Sequence, residues 1–199
     1  MTLTYQGHPL VTKRMFVADM VAHREADRII AGTYGEGSGP DWQGCAVGCG
    51  VHTINRLARL DLEDSDHAGL ADALGWPEWL TQLTDSIFEG LPFQARAEWP
   101  ERLARAVPVG ADIDSAFTMF RVRLLREVVA PVADVGADVV ERVAAGLANN
   151  WEGDERAATG AAAEAVAWAA AWDAASAAAW VSISDILVEC LSAIPDGPA

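Results

Sequence analysis

The chain has 199 residues, 51% of them hydrophobic, and carries 29 acidic side chains against 14 basic ones, a formal charge of −15. That apolar content supports a buried core and excludes a largely disordered chain, while the acidic surface argues against nucleic acid and anionic membranes as partners. The imbalance is even, with fourteen acids and seven bases up to Pro100 and fifteen and seven beyond it, the pattern of a solubilising surface rather than an acidic tail.

The first predicted helix runs from about Val11 to Ile30, with Phe16, Met20, Ile29 and Ile30 as apolar positions and Gly32 as its stop. Asp19, His23 and Asp27 then share a face at four-residue spacing. Seven glycines and Pro40 between Gly32 and Gly50 predict a loop of unusual backbone geometry, and loops of that length are mostly functional or mobile. Val51 to Leu60 reads as a short amphipathic helix, and after the acidic turn Asp61 to Asp66 a further one, capped by Ser65, ends at Gly75. Pro77 opens a helix with the stripe Trp79, Leu80, Leu83, Ile87 and Phe88, closed by Gly90 and Pro92.

Pro100 is expected to open the next helix, which Pro108 and Gly110 close. Asp112 or Asp114 caps another, with Phe117, Phe120, Leu124 and Val128 as its stripe and Pro131 as its end. Asp134 to Asn149 gives one more. Fifteen of the twenty-four residues from Ala157 to Trp180 are alanine, which favours a long final helix within residues 154–194, carrying Trp168, Trp172 and Trp180. After Arg156 no basic residue remains, so Glu164, Asp173, Asp185 and Glu189 must face water or find arginines earlier in the chain.

No stretch alternates long enough to make a convincing strand, and the expectation is an all-α single domain over residues 1–199, of seven or eight helices, bundle-like or orthogonal. Three cysteines cannot build a disulfide framework and the N-terminus lacks a secretory pattern, so the chain reads as cytoplasmic with reduced thiols. Acids interrupt the alanine-rich region well short of the roughly 18 apolar residues of a spanning helix. Lys13 is the only lysine, and thirteen arginines with abundant alanine indicate a GC-rich bacterial or phage coding sequence.

Chemistry concentrates in Gly44-Cys45-Ala46-Val47-Gly48-Cys49-Gly50-Val51-His52. If the segment is helical, Cys45, Cys49 and His52 fall at i, i+4 and i+7 on one face. If its glycines keep it irregular, a helix starts near Cys49, whose thiol then feels the positive end of the dipole with His52 as base. Three readings follow: small buried thiols that pack, a redox or nucleophilic site with Cys49 attacking, Cys45 resolving and His52 shuttling protons, or a metal held by the same residues, one ligand short of a closed zinc site. Trp42, three residues before Cys45, would form a wall or lid, and Asp85 and Glu89 would be supporting acids.

The CxxxCxxH spacing is similar to the CxxCxxxH motif of the AhpD-like alkylhydroperoxidase and carboxymuconolactone decarboxylase family, helical proteins that join a redox thiol pair to a histidine. The span from first cysteine to histidine is the same, but the inner spacing differs, which changes which thiols can pair. A broader resemblance covers residues 13–115. Ala26-Asp27-Arg28-Ile29-Ile30, the GCAVGC segment with His52, Ile87-Phe88-Glu89-Gly90-Leu91-Pro92, Trp99-Pro100-Glu101-Arg102 and Val109-Gly110-Ala111-Asp112 resemble a family of bacterial and prophage-encoded proteins without an established activity. It implies a coherent domain of that origin and offers no catalytic residue to transfer.

Two weaker constellations remain. Asp19, His23 and Asp27 could take a divalent cation with help from Asp85 and Glu89, although such patterns are more often solvated faces or ion pairs with Arg24, Arg28 or Arg56. The eight tryptophans fill gaps left by alanine, or line a groove for a flat ligand or a partner helix. The expected function is thus a thiol-dependent site at Cys45, Cys49 and His52, its cofactor undetermined. The alternatives are a non-enzymatic accessory protein binding a protein, a small molecule or a second copy of itself through helical surfaces, and a metal site on the same residues.

Overall fold

The computed structural model describes residues 3–131, 137–148 and 177–198. Among them are eight α-helices and no β-strand, in keeping with the all-α expectation: α1 Lys13–Glu25, α2 Ala46–Ala58, α3 His67–Leu74, α4 Glu78–Gly90, α5 Phe93–Ala106, α6 Asp114–Leu124, α7 Ala137–Ala148 and α8 Ala177–Ser192. No helix among the described residues is long and apolar enough to cross a membrane. The part of the expected final helix over residues 157–176, with Glu164, Trp168, Trp172 and Asp173, lies outside the described residues. Contacts cluster into two compact units, Met1–Ile113 with Leu191–Ala199, and Asp114–Cys190.

In the first unit α2 is the hub, packed by α1, α3, α4 and α5, while α1 also lies along α5. Its sequence explains the position: Val47, Cys49, Val51 and Ile54 are fully buried, and Gly48 and Gly50 let neighbours approach its backbone. The apolar stripe of α4 is buried at Leu80, Leu83, Ile87 and Phe88 as its periodicity predicts.

Boundaries differ where local signals misplace them. α1 stops at Glu25, because Ala26 leaves helical geometry and Asp27 is left-handed at φ 53°, so Asp27 does not share a face with Asp19 and His23. Asp66, not Ser65, caps α3, accepting the Gly69 N–H at 2.8 Å. Pro100 lies inside α5, which starts after the extended Pro92. The lost N–H at Pro100 is offset by burial of Trp99, whose indole donates to the Thr84 carbonyl at 3.2 Å. Gly75, in the left-handed region, ends α3 as expected.

Thr4 and Tyr5 are part of this unit's core. Buried Thr4 donates through Oγ1 to the Pro108 carbonyl at 2.6 Å and accepts the Ala111 N–H at 3.1 Å, and the Tyr5 hydroxyl donates to the Ala104 carbonyl. The Val109 N–H donates to Asp196 Oδ1 and its carbonyl accepts from the Gly197 N–H. Thr4→Val keeps the shape and strands two buried polar groups, an expected loss of about 2 kcal/mol, readable as a lower urea midpoint with unchanged slope.

The second unit joins α6, a π-helical turn at Leu125–Val129, and α7 around Val122, Leu125, Val129, Val140, Val143 and Ala144. One acid of the cation-free final helix finds its arginine here: Arg123 donates to Glu189 at 2.7 Å and to Glu127 at 2.6 Å.

Candidate functional site

The glycine-rich segment resolves the first question about Cys45. Its backbone is extended, and it is the N-cap of α2: the Gly48 N–H donates to its sulfur at 3.5 Å, so the positive helix end falls on Cys45 and not on Cys49. Cys49 sits in the first turn, fully buried, its thiol donating to the Gly44 carbonyl at 3.5 Å. All three cysteines are free.

The loop before α2 is anchored to it. Gly44 donates to the Arg28 carbonyl and accepts from Ile30, while the Cys45 N–H donates to the Thr33 carbonyl. The carbonyl of Tyr34 lies directly over Gly44 and Gly48: a Cβ on Gly48 would sit 1.5 Å from it, and one on Gly44 would sit 2.2 Å from it. These two glycines, one turn apart, are thus the seat on which Tyr34 rests. From that seat the Tyr34 hydroxyl reaches across to α4 and donates to Asp85 Oδ2 at 2.9 Å.

Asp85 gathers three chemically active side chains. Its Oδ1 accepts from the Cys45 thiol at 3.7 Å, its Oδ2 accepts from Tyr34, and His67 Nε2 stands 3.8 Å from Oδ2. The His67 ring packs edge-on to Tyr34, at 5.6 Å between centroids. Its Nδ1 lies 2.9 Å from the Ser65 carbonyl. A carbonyl only accepts, so Nδ1 carries a hydrogen, and Nε2 is the ring nitrogen turned toward Asp85. Asp85 and His67 remain about a quarter and a fifth exposed, while Cys45 beneath them is 1% exposed.

Electrostatics keep the thiol protonated at rest. Burial, then the Asp85 and Glu89 carboxylates, push Cys45 up to about 12 against the opposing pull of the Gly48 and Val47 N–H groups. Cys49 is also pushed up, first by burial and then by Cys45. Burial and the Asp85 hydrogen bond raise Tyr34 to about 12, so it stays a hydrogen-bond donor. Glu89, one turn beyond Asp85, accepts the Gly32 N–H at 3.2 Å and pins the start of the glycine loop.

His52 belongs to a second cluster. Its ring stacks on Trp42 at 4.2 Å and 19°, and buried His23 meets both, at 5.3 Å from His52 and 5.5 Å from Trp42. Thr53 Oγ1 lies 3.4 Å from His23 Nε2, while Nδ1 of His23 and of His52 are buried without a hydrogen-bond partner among the described residues. Asp19, expected beside them as a cation ligand, is paired with Arg56. Among the described residues, no group of three or more His, Cys, Asp or Glu side chains is placed to hold a metal ion.

The sequence-derived set therefore divides. Cys45 meets Asp85, Glu89 one turn further along α4 holds Gly32, His52 and Trp42 pack with His23, and Cys49 is buried in the first turn of α2. Tyr34 and His67 were not singled out by the sequence: one sits in an aperiodic loop and the other at a helix start after an acidic turn, with no local pattern tying either to Asp85. No family model, curated protein or solved structure matches the chain.

Proposed function

We propose that the protein carries a thiol-dependent catalytic centre in which Cys45 is the nucleophile, Asp85 its proton acceptor, His67 the carrier that passes the proton onward and Tyr34 the residue that positions Asp85. The observation that carries this reading is the Cys45–Asp85 contact at 3.7 Å, made at a helix N-terminus whose Gly48 N–H faces the sulfur. As sulfur bonds to an electrophilic carbon and the leaving group departs from that carbon with its bonding pair, the thiol proton moves to Asp85 Oδ1, with His67 Nε2, 3.8 Å from Oδ2, the next group on its way outward. The first-turn N–H groups of α2 then face the developing negative charge. Relative to the roles suggested by spacing alone, Cys45 takes the attacking role, and neither Cys49 nor His52 is needed. The free cysteines suit a reducing cytoplasm.

A second reading, a non-enzymatic accessory protein with packing cysteines, is favoured by the burial of Cys45 and Cys49 at 1% and 0% exposure, and by Phe93, 81% exposed at the start of α5, as a contact for a protein partner. Alkylation of the native protein separates the two. A small electrophile at pH 8 is expected to modify Cys45 at least tenfold faster than Cys49 or Cys190, read by peptide mass spectrometry, with the rate independent of global unfolding. Modification of Cys45 only at the rate of unfolding would establish the packing reading instead.

A further inference from the structure

Resting on the reading of Cys45 as a nucleophile, we propose that this centre takes a cationic electrophile of amidinium or guanidinium chemistry, whose charge settles against Asp85 and draws the proton off the thiol. The carboxylates that act on the sulfur, Asp85 and Glu89, are both negative. Among the described residues, the side-chain partners of Asp85 are a phenol, a thiol and an imidazole, none of them a lysine or arginine. Glu89 follows one turn later on α4 and adds a second negative charge acting on the same thiol. The carboxylate is partly exposed while the sulfur is covered, so a ligand meets Asp85 on its way to Cys45. A planar amidinium or guanidinium matches a carboxylate in charge and in its parallel N–H donors.

The same arrangement explains how a thiol with no lysine or arginine bonded to it among the described residues could react. Two carboxylates oppose thiolate formation, so a neutral substrate meets a protonated sulfur. A bound cation reverses that field, and deprotonation becomes coupled to recognition. The net charge of −15 also concentrates cations around the protein.

The test compares 2-chloroacetamidine, cationic at pH 7, with 2-chloroacetamide, a neutral molecule of nearly the same shape and leaving group. In either reaction the sulfur–carbon bond forms as the carbon–chlorine bond breaks, chloride leaves with the bonding pair, and the thiol proton passes through Asp85 to solvent. With both rates on Cys45 divided by those on glutathione, the amidine is expected to be favoured at least tenfold in the unaltered protein. The preference should shrink in high salt and disappear in Asp85→Asn, in which the thiol itself becomes more acidic. Equal normalised rates, or a preference that survives Asp85→Asn, would overturn the cationic-substrate inference and leave the nucleophile standing. Failure of both reagents to modify native Cys45 would overturn the nucleophile and this inference with it.

Discussion

Gly48→Ala is expected to destabilise the protein by about 3 kcal/mol, the upper end of ordinary overpacking. Helix propensity alone predicts the opposite, a gain of up to about 1 kcal/mol, because Gly48 lies within α2. Space decides the sign. The new methyl would stand 1.5 Å from the Tyr34 carbonyl oxygen and 2.6 Å from its carbon, and a backbone held by loop hydrogen bonds cannot swing aside as a flexible side chain can. The loop must lift, taking the Tyr34 hydroxyl from Asp85. Gly50→Ala is the control: the atoms nearest its methyl belong to the flexible Leu70 side chain, at 3.0 Å, and the change is expected to stay within about 1 kcal/mol of neutral. Urea unfolding gives the stabilities, and faster alkylation of Cys45 in folded Gly48→Ala reports the displaced tyrosine. A Gly48→Ala protein as stable as the unaltered one would show that Tyr34 does not rest on this glycine.

That dependence shows what the sequence could and could not reveal. The apolar stripe of α4 and the stop at Gly75 are local, set by spacing along one helix and by one residue's tolerance of left-handed geometry, and both are readable directly. The glycines of the GCAVGC segment announce close backbone approach, but not that the approaching segment is Tyr34, ten residues before Gly44. Pro100 misleads because a proline at a helix start and one tolerated inside a buried helix have the same local appearance. Cys45 and His52 lie at helix-face spacing, yet Cys45 is an extended cap residue. α2 is also covered by four other helices, so positions two turns apart meet different neighbours, Asp85 of α4 for the first and His23 of α1 for the second. Asp85 could be named as a nearby acid from its position on α4. Its convergence with residues 34, 45 and 67 is a property of the tertiary fold.

The second large effect lies at His23 and is set by pH. This ring is 4% exposed, and burial first, then His52, Arg28 and Arg56, lower its pKa to about 4, with Asp19 pulling the other way. In the unfolded chain an ordinary histidine titrates near 6.5. Above that value both states are neutral and the native state keeps its full stability. As pH falls from about 6.5 toward 4 the unfolded chain takes up a proton that the native state refuses, so stability falls, by about 3 kcal/mol over the whole window and about 2 kcal/mol by pH 5. His52, lowered in the same direction by burial, adds to the loss. The lowered carboxyls of Glu127 and Glu141 lose stabilising charge only at more acid pH, which leaves the interval between pH 6.5 and 5 to the histidines. Urea midpoints across that interval are expected to fall steadily in the unaltered protein and to fall less steeply in His23→Gln, which retains a polar group near Thr53 but cannot titrate, the remaining slope belonging to His52. An unchanged midpoint from pH 7 to 5 in the unaltered protein would mean that a proton reaches His23 in the folded state as readily as in the unfolded one. The partnerless Nδ1 beneath the Trp42 and His52 rings argues against that access, because an imidazolium there would have a buried N–H with nothing to receive it.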